Sequence, residues 1–88
     1  MFYTYVVLSG VDNRFYVGYT DDLKKRITKH EKGLVTATEK RRPLKLVYYE
    51  ACLDKYDALK REKYFKTGFG RRFLLNRIES FLKGETQA

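Results

Sequence analysis

Cysteine, proline, methionine and histidine each occur only once in the 88 residues. A lone Cys52 cannot close an internal disulfide, and secreted domains this small usually need disulfides to offset a small core. The expectation is an intracellular, cytoplasmic protein. The one proline, Pro43, lies in a basic loop, and no linker, repeat or low-complexity tract divides the chain, so residues 1–88 are read as one domain. Long hydrophobic runs are also missing. The uncharged opening segment, Met1 to Val11, is too short to cross a bilayer and lacks the basic start and small-residue cleavage site of a signal peptide. Acidic residues are scarce: 11 Asp and Glu stand against 19 Lys and Arg, for a net charge of +8 and a pI near 9.7. Such an excess steers toward polyanions, DNA or RNA first and an anionic membrane surface next.

What the chain does have is aromatic residues. Hydrophobic residues make up 43% of it, with 8 Tyr and 6 Phe, which is enough for one modest core. Phe2 to Leu8 and Phe15 to Gly18 are β-branched and aromatic, and the turn residues Gly10, Asp12 and Asn13 between them predict a hairpin. Thr20, Asp21 and Asp22 supply an N-cap and an acidic first turn for a helix over about 21–32, carrying Leu23 and Ile27 and stopping at Gly33. A charged loop precedes a third strand, Leu44 to Ala51. Asp54 and Asp57 then open a second helix that Gly68 ends. A third helix, about 71–83, is expected to bury Leu74, Leu75, Ile78, Phe81 and Leu82. The predicted fold is α+β, an α/β sandwich: a three-stranded antiparallel sheet flanked by three helices in the order ββαβαα.

Three groups of residues exceed these structural needs. Helical spacing sets His30 on the stripe of Leu23 and Ile27, with Arg26 at its edge; taken alone, a histidine satisfied by a backbone carbonyl and a snorkelling arginine is the simpler account of both. Glu62 is the one acid among the basic residues from Lys60 to Arg77. It falls on the apolar stripe between Ala58 and Phe65, where a carboxylate needs a cationic partner or a metal. Tyr16 is followed by Gly18, and a strand glycine often marks close approach of another group. In the right hairpin register Tyr5 and Tyr16 share a face.

These residues resemble the GIY-YIG nuclease superfamily, which includes the nuclease half of a bacterial excinuclease component and many small stand-alone proteins. The first motif corresponds to Tyr3-Thr4-Tyr5, of which only the final tyrosine matches, and the second to Tyr16-Val17-Gly18. The family's helical arginine and the histidine one turn later fall on Arg26 and His30, its metal-binding glutamate on Glu62, and its late asparagine most nearly on Asn76. The segment from Phe15 to Arg26 is the most specific part of the match.

The resemblance implies a metal-dependent endonuclease acting on DNA phosphodiester bonds, structure-selective and of a repair or recombination type. One Mg²⁺ or Mn²⁺ would be held by Glu62 and otherwise by water and phosphate oxygens. Arg26 would clamp the scissile phosphate, and Tyr5 or Tyr16, with His30 beside it, would accept the proton of the attacking water. Lys24, Lys25, Lys29, Lys40, Arg41, Arg42, Lys60, Lys63, Arg71 and Arg72 would hold the sugar-phosphate backbone. With no appended recognition domain, selectivity would come from DNA shape or from a protein partner. The alternatives are a non-catalytic nucleic-acid-binding module of the same fold and a domain directed to RNA.

Overall fold

A computed structural model describes residues 1–87. Strands β1 (Phe2–Ser9), β2 (Phe15–Thr20) and β3 (Leu44–Cys52) form an antiparallel sheet in the order β2-β1-β3. Helices α1 (Leu23–Glu31), α2 (Lys55–Phe65), α3 (Gly68–Arg77) and α4 (Glu79–Gln87) complete an α+β fold. The hairpin turn after β1 uses Asn13 at φ 57°, a left-handed conformation that asparagine tolerates.

The central strand explains the run of residues at its middle. Because β1 is covered on both faces, Thr4, Tyr5, Val6 and Val7 are all buried and no polar alternation is needed. Tyr5 and Val7 face α1 with Leu44, against Tyr16, Leu23, Ile27 and Leu46. Val6 faces the other way and packs with Val17, Phe65 and Leu74 under α2 and α3. A bulge in β3 at Val6/Val7 lets Tyr48 and Val47 both join that second cluster. Thr4 donates its hydroxyl to the Ala58 carbonyl at 2.6 Å, tying β1 to α2.

Both expected caps form: Asp22 accepts from the Lys25 amide at 3.1 Å, and Asp54 from the Tyr56 amide at 2.8 Å. The last helix departs from the expectation. Gly68 starts α3 rather than merely ending α2, since Thr67 caps the new helix by accepting from the Gly70 amide at 3.1 Å. At Ile78 the backbone turns to φ −113°, ψ 27°, and helix resumes at once in α4, so the predicted third helix is two. Leu74 and Ile78 are buried as expected, whereas Leu75 is 41% exposed. The stripe is narrower than a count of apolar positions suggests.

Candidate active site

The hairpin register opposes Tyr5 to Gly18 and Val7 to Tyr16, which puts both tyrosines on the face covered by α1. Gly18 is required there by the ring across from it: a Cβ at that position would overlap the Tyr5 phenol and its hydroxyl. Tyr5 and His30 are fully buried, while Tyr16 and Arg26 are half-buried at the rim. The Tyr16 and His30 rings meet edge-on with centroids 5.3 Å apart.

One hydrogen-bonded chain runs through these side chains. Arg26 Nε donates to the Tyr5 hydroxyl at 3.2 Å, Tyr5 lies 2.7 Å from His30 Nε2, and His30 Nδ1 lies 2.7 Å from Thr38 Oγ1. Thr38 can donate onward to the Val35 carbonyl at 3.5 Å. Donor counting then fixes the direction. Arg26 has no acceptor, so Tyr5 gives its own proton to Nε2, and Nδ1–H donates to Thr38. No buried side-chain polar atom among the described residues is left without a partner.

Electrostatics agree with that order. Burial, reinforced by the Arg26 charge, lowers the His30 pKa from 6.5 to about 4, so the ring is neutral near pH 7 and able to accept from Tyr5. Burial raises the pKa of Tyr5 and favours the protonated phenol, outweighing the opposing effect of Arg26. Donating to the Tyr5 oxygen, and to a lesser degree to Tyr16, tightens the hold of Arg26 on its proton. Neither Tyr5 nor His30 meets solvent. Tyr16, half-buried, is the partly exposed tyrosine whose ring touches both.

Glu62 sits on α2, near enough to Tyr5 for its charge to act on the phenol, and its Oε2 pairs with Lys66 at 3.3 Å. No cluster of three or more His, Cys, Asp or Glu occurs among the described residues. A hard cation that keeps most of its water can be held by a single carboxylate, and Glu62 fits that requirement. Asn76 is exposed on α3 and joins none of these contacts.

The basic residues fall into three settings. Lys25, Arg26 and Lys29 line a cleft of about 230 Å³ with Thr20, Asp21 and Asp22, and Lys24 borders a larger groove between α1 and β3. Arg71 and Lys66 line another cleft beside Tyr16. Several others are engaged within the fold: Arg41 with Asp12 at 2.9 Å, Lys60 with Asp57 at 3.5 Å, and Arg42 with the carbonyls of Glu39 and Glu31. Lys40, Lys63 and Arg72 are exposed. Arg61 grips Glu50 through two contacts of 2.8 Å and lies over the rings of Tyr64, Phe65 and Phe73.

Thr38 escaped sequence reasoning. It lies in the irregular segment after α1, outside any periodic pattern, and only its burial and its bond to His30 mark it.

Comparison with known proteins gives a consistent result. The GIY-YIG catalytic domain matches residues 1–78. A UPF0213 protein of Limosilactobacillus reuteri is 40% identical over 88 residues, covering 93% of this chain and 91% of the relative. Another, from Staphylococcus saprophyticus, is 44% identical over 77 residues, covering 86% and 92%. The solution NMR structure of a UPF0213 protein from Bacillus halodurans has a TM-score of 0.54 at 31% identity, covering 86% of this chain and 84% of that one.

Proposed function

The chain belongs to the GIY-YIG family, a family of nucleases, and on that premise we propose that it is a divalent-metal-dependent endonuclease that hydrolyses DNA phosphodiester bonds. The carrying observation is the meeting of Tyr16 and Arg26 at the rim of one face, backed by the buried Tyr5–His30–Thr38 chain. In this reading the water attacks phosphorus as the bond to the 3′ oxygen breaks, leaving a 5′-phosphate and a 3′-hydroxyl. Arg26 binds the scissile phosphate and opposes the charge that grows in the transition state. Tyr5 positions Arg26, and His30 positions Tyr5 by accepting its proton in a hydrogen bond. Tyr16 would take the proton of the attacking water. Glu62 would hold Mg²⁺ or Mn²⁺, which supplies charge stabilisation to the leaving oxygen. Lys25, Lys29 and Arg71, on the clefts that border this face, would hold the backbone of the substrate.

Incubation with branched, nicked and linear DNAs in Mg²⁺, Mn²⁺ or EDTA tests the reading. Cutting is expected in metal and absent in EDTA. Glu62→Gln, which keeps the shape and loses the charge, is expected to abolish cleavage while affinity measured in EDTA stays within a few fold. The Glu62–Lys66 ion pair favours a second reading, a binding module without turnover. That reading holds if wild type binds every substrate and cuts none.

A further inference from the structure

Phe69 is 75% exposed in the first turn of α3. Single exposed apolar side chains are ordinary, and this one differs in its support, its charge environment and its neighbours. Its support is rigid. Thr67 donates to the Tyr64 carbonyl at 2.7 Å and caps Gly70, and Gly70 comes so close to that carbonyl that a Cβ would overlap it. A Cβ on the preceding Gly68 would meet nothing within 4 Å, so the space beside this turn is open.

Apart from Glu62, which pairs with Lys66 at 3.3 Å, the charge is of one sign. Between Glu62 and Glu79 the chain carries Lys63, Lys66, Arg71, Arg72 and Arg77 and no acid. Arg72 follows Phe69 by three residues and so shares its side of the helix. Lys66 and Arg71 line a cleft of about 260 Å³ with Phe15, Tyr16, Val17 and Phe65. That cleft runs from this end of α3 to Tyr16.

We propose that Phe69 is a stacking platform for an unpaired base of the substrate, with Lys66, Arg71 and Arg72 holding the adjoining phosphates. The substrate class is then DNA with a single-stranded segment beside the cleavage site, such as a flap or a frayed end. Inside a duplex each base is stacked on both faces, so away from its ends duplex DNA gains only from the cations. The proposal rests on the nuclease reading and makes it specific.

The test is binding in EDTA, by fluorescence anisotropy, of a labelled single-stranded oligothymidylate and of a blunt hairpin duplex. Phe69→Ala is expected to weaken single-strand binding by about tenfold and duplex binding by less than about twofold, with an unchanged melting temperature. The chain has no tryptophan, so Phe69→Trp introduces one reporter, and its emission is expected to be quenched by the single strand. Equal losses on both DNAs, no loss on either, or an unquenched tryptophan at saturation would overturn the platform. If wild type binds and cuts while Phe69→Ala matches it, only the platform fails. If wild type binds neither DNA, the nuclease reading fails with it.

Discussion

The two tyrosines that share one face differ in what their hydroxyls do. Removing the Tyr5 oxygen strips His30 Nε2 of its donor and Arg26 Nε of its acceptor, both in or beside the core. Tyr5→Phe is therefore expected to lose about 1–3 kcal/mol of stability along with cleavage, seen as a lower urea midpoint. Tyr16→Phe is expected to melt like wild type yet lose about 10²-fold or more of single-turnover cleavage. Full activity in Tyr16→Phe would remove it from the chemistry. His30 makes a separate pH prediction. Its folded pKa, about 4, lies below the unfolded 6.5, so as pH falls the unfolded chain takes up the proton first and stability drops. The loss begins near pH 6.5 and is complete near the folded value. Glu50, held below the ordinary carboxylate range by Arg61, contributes its stability above about pH 4.5 and loses it only at more acid pH. His30→Gln should flatten the stability profile between about pH 6.5 and 5 in urea titrations, whereas an unchanged slope there would assign the acid sensitivity to other groups.

At the scale of elements, the junction of α2 and α3 is set by backbone contact. Gly70→Ala forces a methyl group into the Tyr64 carbonyl and is expected to cost roughly 1–3 kcal/mol or more. Gly68→Ala, two residues away in open space and at no positive φ, is expected to gain about 0.4–1 kcal/mol. Thermal melts of the pair check both signs. The same junction shows where sequence patterning ends. The hairpin, α1, β3 and the start of α2 were legible because their caps and apolar spacings are local. A glycine after an apolar stripe reads equally as a stop or a start, and Thr67 decides for a start only through its bond to the Gly70 amide. The break at Ile78 left no mark because Leu74 and Ile78 keep their four-residue spacing across it.

Across the whole molecule, the candidate site was legible where family motifs lie on regular elements, as with Tyr5, Tyr16, Arg26, His30 and Glu62. Thr38 was not, because a loop residue acquires its role only when the fold brings the loop under α1. Asn76 matched a family position yet lies exposed on α3. All the buried parts meet on β1, which is paired along both edges and covered on both faces. A strand so enclosed has no local way to open, and its amides should exchange with deuterium only when the entire chain unfolds. Mass spectrometry or NMR is expected to find Tyr5, Val6 and Val7 the slowest to exchange, with protection equal to the global unfolding free energy and well above that of α1. Slower exchange in α1 than in β1 would contradict this. Since Tyr5 anchors both Arg26 and His30, the folded population is then also the population with Arg26, the side chain proposed to bind phosphate, already in position before any substrate arrives.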